Sequence, residues 1–121
     1  MTTLQVLKNA RAQIMKGWCK EYVRKSTGEC CILGALVYAN EVPGRKVYRA
    51  AANRRQVFRE AVRALCEVIP EFQKLYQILT HQSLCSALDY QKLYQVNDNP
   101  ETTQEDVLHL FDAAIKKLEV K

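Results

Sequence analysis

The sequence predicts a mostly α-helical fold, a compact single-domain bundle of about five helices with a short β-hairpin insert near residues 19–31. Three observations predict it. Apolar residues recur at spacings of three and four through most of the chain, the signature of amphipathic helices. One stretch, "CKEYVRKSTGECC" at 19–31, breaks that rhythm and places Tyr22 and Val23 before a Ser-Thr-Gly turn. With 121 residues, 48% of them hydrophobic, the chain has enough material for one core, so residues 1–121 are read as one domain.

The first helix is expected over 3–16, where Leu4, Leu7, Ala10, Arg11, Ile14 and Met15 share a side. Gly17 ends it in the place where a left-handed cap is cheapest. The hairpin follows, and a second helix begins near Cys31 with Ile32, Ala35, Leu36 and Ala39 facing inward. Gly34 inside that helix costs about 1 kcal/mol relative to Ala, so another element is expected to pack closely on it. Pro43-Gly44 marks a loop.

Along 45–69, a turn of about 100° per residue separates two faces. Val47, Ala50, Ala51, Val57, Phe58, Ala61, Leu65, Val68 and Ile69 lie on one side. Arg45, Arg49, Arg59 and Arg63 lie opposite, with Arg55 on their flank. Arg54 falls on the apolar side of a continuous helix. Either Asn53 and Gln56 form a capping box and restart the helix, which is the favoured reading, or Arg54 is a buried cation in need of a carboxylate. Beyond Pro70, "EFQKLYQILTHQ" and "SLCSALDYQKLYQ" each predict a short helix. In the last helix Thr102 caps and Glu105 reaches back, ahead of a stripe of Val107, Leu110, Phe111, Ala114, Ile115 and Leu118.

Composition narrows the function classes. No apolar run approaches the roughly 18 residues of a membrane span, and no secretion signal stands at the N-terminus, so a cytoplasmic protein is expected. The five cysteines are then expected to be reduced and mostly buried, with Cys66 and Cys85 in the core. The net charge of +5 is uneven. Residues 1–69 carry 13 Lys/Arg against 5 Asp/Glu, whereas residues 70–121 carry 5 against 8. Such a charge distribution attracts an anionic partner to one face and also permits stacking of one copy on another.

The Gly17-Trp18-Cys19 start, Cys31-x-Leu33-Gly34-Ala35-Leu36 and the late Asn97-Asp98 form a pattern. It resembles a small uncharacterised family of actinobacteria and their phages. Val96 stands where that family pattern usually has Trp. The family has no known activity, so the resemblance implies a fold and a phage-like context and no chemistry.

Several constellations compete for function. Cys19, Cys30, Cys31, His81 and His109 could bind a metal, but no pair has the close spacing of a zinc site, and no metal or cofactor is expected. Cys19 or Cys31 with His81 and Asp98 would form a thiol triad, and Cys31 near a helix N-terminus would have a lowered pKa. Asn97-Asp98-Asn99-Pro100 reads as a turn and cap, or else as the polar lip of a pocket that includes Trp18 and Cys19. The arginine stripe reads as a solvated face, or as a site for phosphate or carboxylate, with Tyr22, Tyr38 and Tyr48 available for a base to stack on.

The balance favours a small non-enzymatic binding or regulatory protein, phage-encoded as the resemblance implies, in which Trp18, Gly34 and the cysteines form a structural seam. It would engage an acidic protein surface or a nucleic acid through Arg45, Arg49, Arg55, Arg59 and Arg63. The alternative is a small-ligand or nucleotide pocket, with or without catalysis, at Trp18, Cys19, Asn97 and Asp98.

Overall fold

The structure, a computed structural model, describes residues 2–40, 48–80 and 88–120. These residues form six α-helices: α1 (Thr3–Lys16), α2 (Ile32–Ala39), α3 (Tyr48–Val68), α4 (Gln73–Thr80), α5 (Asp89–Asp98) and α6 (Gln104–Glu119). A 3-10 turn, Ile69–Glu71, joins α3 to α4 around Pro70. No helix among the described residues is long and apolar enough to cross a membrane. The predicted helical character is met, with one helix more than expected.

Each helix contributes one stripe to a common core. α1 starts in a capping box, in which Thr2 Oγ1 accepts from Gln5 N and Thr2 N donates to Gln5 Oε1. It buries Val6, Leu7, Ala10 and Ile14 against α2, α3 and α6. Arg11, placed by its spacing with the apolar side, instead pairs with Asp112 of α6, and Met15 is exposed. Phe111, Leu65, Leu36 and Leu93 fill the centre from α6, α3, α2 and α5.

The expected hairpin is absent: no strand forms among the described residues of 17–31. There are two isolated bridges, Trp18 with Cys30 and Arg24 with Cys30, one parallel and one antiparallel. Both use the same residue. The chain therefore turns back over one antiparallel pair and lays Trp18 along Cys30 as well, which is too little pairing to make the strands of a ribbon. Cys30 N donates to Gly17 O, Cys19 N donates to Cys30 O, and Cys31 N donates to Val23 O. A tight turn at 25–28 is closed by Gly28 N to Lys25 O, with Gly28 in the left-handed region at φ 99°. Two residues of paired strand are too few to be stable alone, so packing on α2 decides the path.

Three further expectations are corrected. Gly17 has φ 179°, which is extended and not a left-handed cap. A Cβ there would sit 2.9 Å from Glu29 Cγ, so a larger residue would require the Glu29 side chain to shift. The helix break at Asn53 does not occur, since α3 runs on for 21 residues. Restarting a helix would orphan four N–H groups, and the Gln56 side chain donates forward to Glu60. Finally, the cap of α6 is Thr103 with Asp106, not Thr102 with Glu105. Both pairs satisfy the three-residue spacing. Thr102 is buried, while Lys74 of α4 holds Asp106 at 2.7 Å, which fixes the later register.

Candidate functional site

The site begins with a missing side chain. A Cβ on Gly34 would lie 1.8 Å from the carbonyl oxygen of Val23. Glycine in the first turn of α2 thus lets the 19–31 segment lie directly on the helix, as the sequence anticipated. Cys31 is the N-cap of α2, its Sγ accepting from Gly34 N at 3.3 Å. The helix start near Cys31 is as expected, but sulfur is not among the preferred capping atoms, so its capping role carries no signature in sequence.

Asn97, 1% exposed near the end of α5, closes the seam. Its Oδ1 accepts from Trp18 Nε1 at 2.7 Å and from Ile32 N, the first N–H of α2, at 3.1 Å. Its Nδ2 donates to Cys19 O at 3.1 Å and to Asp98 Oδ1 at 2.9 Å. A side-chain amide has two donors and two acceptor lone pairs, so every hydrogen-bonding position is filled. Asp98 Oδ1 also accepts from Glu21 N at 2.9 Å, which holds Glu21 in the left-handed region at φ 70°. Lys20 lies 5.4 Å from the Trp18 ring centroid and donates to Pro100 O at 3.2 Å. The structure therefore brings together all four residues of the expected pocket, Trp18, Cys19, Asn97 and Asp98. Asn97 and Asp98 are the last turn of a helix rather than a loop. Among Asn97's partners, Ile32 N lay outside sequence reasoning, because a backbone group carries no residue signature.

The thiols are held in their protonated form. Burial, followed by the proximity of Cys31, pushes the Cys19 thiol up. Burial pushes Cys30 to about 11 and Cys66 to about 12. At Cys31 burial outweighs the hydrogen bonds from Gly34 and Leu33 N–H, so its pKa is raised, opposite to the expectation from its place at a helix N-terminus. Cys19 Sγ is engaged with Tyr22 O. His109 is exposed on α6, beside Glu105. His81 and Cys85 lie outside the described residues. Among the described residues, no group of three or more His, Cys, Asp or Glu side chains could hold a metal ion.

The arginine face is placed differently. Arg55, Arg59 and Arg63 are exposed on successive turns of α3. Arg63 pairs with Glu67 at 3.3 Å, whereas Arg55 and Arg59 have no carboxylate partner among the described residues. The neighbouring Glu60 is turned to Thr3 and Gln56, whose hydrogen bonds lower its pKa. Arg45, and the side chains of Tyr48, Arg49 and Arg54, lie outside the described residues.

A family model matches residues 1–117, nearly the whole chain. The chain belongs to the family of unknown function DUF6197. No curated protein and no solved structure matches it. In this DUF6197 chain the residues of the resemblance pattern meet at one place: Trp18, Cys19, Cys31, Gly34, Asn97 and Asp98 all belong to the seam between the 17–31 segment, α2 and α5.

Proposed function

We propose that this DUF6197 protein is a non-enzymatic binding or regulatory protein that engages an anionic macromolecule, an acidic protein surface or a nucleic acid, through the arginine face of α3. One observation carries the reading: Arg55 and Arg59 stand exposed one turn apart, with no carboxylate partner among the described residues. Unpaired guanidinium groups on one rigid helix present a preformed fork to carboxylate or phosphate. Arg45 and Arg49 extend the same face in sequence. A cytoplasmic, phage-encoded protein that occupies a host surface fits the sequence resemblance.

A small-ligand pocket at Trp18, Cys19, Asn97 and Asp98 is the second reading, and the convergence of these four residues favours it. Weighing against it, the Asn97 amide has no hydrogen-bonding position left for a ligand, and the neighbouring thiols are protonated.

The test is charge reversal at two exposed positions, Arg59→Glu with Arg63→Glu, titrated against heparin as a polyanion probe. The double variant is expected to bind at least tenfold more weakly. Its melting temperature should stay within a few degrees, since exposed substitutions shift stability by about 0.5 kcal/mol and the Arg63–Glu67 pair contributes about as little. Unchanged heparin binding would overturn the reading.

A further inference from the structure

A second surface lies on different elements from the α3 arginines. The backbone of Val23 is pinned to α2 by Cys31 N and seated in the space left by Gly34. Residues 22–25 are therefore held in place even though their side chains are exposed. Tyr22 is 58% exposed and Val23 48%, and on the adjoining face of α2 Val37 is 45% and Tyr38 38% exposed. Aromatic and branched side chains left open on a fixed backbone form a platform, not a disordered tip.

Cations line this platform. The Arg24 guanidinium lies 4.2 Å from the Tyr38 ring centroid, and Lys25 Nζ lies 5.7 Å from that of Tyr22. With Lys20 over Trp18, the segment 18–25 contributes to three cation–ring pairs. Three such pairs on eight residues concentrate positive charge beside aromatic rings. Arg24 has no carboxylate partner among the described residues, and Glu29 is held by Lys25 at 3.6 Å. Glu21 is the single carboxylate of residues 18–25.

We propose that this surface binds single-stranded nucleic acid. A base stacks on the exposed ring of Tyr22 or Tyr38, and the adjacent phosphate meets the Arg24 guanidinium. The combination of exposed rings with interleaved cations suits a chain that alternates flat bases with anionic phosphates. Stretched acidic peptides would match the cations but gain little from the tyrosine faces. Duplex DNA hides its base faces, so it would leave the rings unused.

The test is fluorescence anisotropy of a labelled 20-nucleotide oligo-dT with the full chain, at two salt concentrations. Tyr22→Ala with Tyr38→Ala should weaken binding about tenfold per stacked ring, as base–aromatic contacts do. Phenylalanine at both positions should retain binding, Arg24→Gln should reduce the salt dependence, and Glu21→Gln should tighten the complex. Circular dichroism melts confirm that each variant folds. The proposal is overturned if oligo-dT does not bind, if polyglutamate competes as well as unlabelled oligo-dT, or if the double alanine variant binds normally. Loss of oligo-dT binding only in the Arg59→Glu, Arg63→Glu variant would also overturn it, while supporting the α3 face.

Discussion

Replacing Asn97 by Ala tests whether the seam is what closes this fold. The side chain is 1% exposed and serves three elements at once: Trp18 and Cys19 of the wrapped segment, Ile32 of α2, and its own helix α5. Truncation leaves Ile32 N and Cys19 O buried without a partner, and each such group is worth about 1–3 kcal/mol. Trp18 Nε1 is half-buried and can turn to water, so it adds little. The small cavity adds about 1 kcal/mol more. The expected loss is therefore about 4 kcal/mol, a large part of the roughly 5–15 kcal/mol that holds a domain of this size. Urea unfolding followed by far-ultraviolet circular dichroism measures the global loss. Trp18 is the only tryptophan, so its emission reports the seam separately, and it should shift to the red in the variant even before the denaturant transition. Asn97→Asp keeps the shape but sets a carboxylate against Cys19 O and Asp98, and it should be at least as harmful at neutral pH. A loss below about 1 kcal/mol for Asn97→Ala, with native Trp18 emission, would refute the reasoning.

Two other predictions follow from the same region and from the buried thiols. Gly34→Ala should destabilise by at least about 2 kcal/mol despite the gain of about 1 kcal/mol in helix propensity, because its Cβ meets backbone that cannot step aside. A raised melting temperature for Gly34→Ala would show that the 19–31 segment is not seated on α2. The thiols make stability fall in alkali. Cys30 and Cys66 ionise near 11 and 12 in the folded chain but near 9 when unfolded, so their contribution is complete below pH 9. Above that, the unfolded state loses protons that the folded state keeps, and stability drops by about 1.4 kcal/mol per pH unit for each thiol. Cys66→Ala should lessen that slope by one proton between pH 9 and 11 in urea titrations at each pH. An unchanged slope would mean that Cys66 is not protected.

Much of the architecture was legible because helices announce themselves locally. The stripes of α1 and α6 needed only the spacing of Leu7, Ala10, Ile14 and of Val107, Leu110, Phe111, Ala114. Gly34 was legible as a point of close approach because a glycine inside a helix is costly without one. What stayed hidden depends on partners distant in sequence. Cys30 has a short β-like neighbourhood, but only the packing on α2 shows that it is shared by Trp18 and Arg24 instead of belonging to a ribbon. The choice between Thr102 and Thr103 as cap rests on Lys74, about thirty residues away. The ionisation of Cys31 is not legible in sequence, because the helix N-terminus is visible there and the burial opposing it is not.

The candidate site shows how a resemblance pattern can fall on residues that hold a fold together. Trp18, Cys19, Asn97 and Asp98 were joined in sequence only by a resemblance pattern, and the structure does bring them together. Yet their polar groups point at one another and at backbone. An active or binding site usually keeps a few convergent groups open toward the space its ligand will fill. Here the Asn97 amide is complete, Asp98 Oδ1 has two donors, and the thiols are neutral. The hydrogen bonds of Asn97 join the wrapped segment to α2 and α5 and so close the fold. Exposed arginines without a carboxylate partner among the described residues stand elsewhere, Arg55 and Arg59 on α3 and Arg24 beside Tyr38. If the seam were the functional centre, substitutions there would abolish binding in variants that still fold. Substitutions at Arg59, Tyr22 and Tyr38 would then be silent. The opposite outcome is expected, because a group already fully bonded within the protein has nothing left to offer a partner.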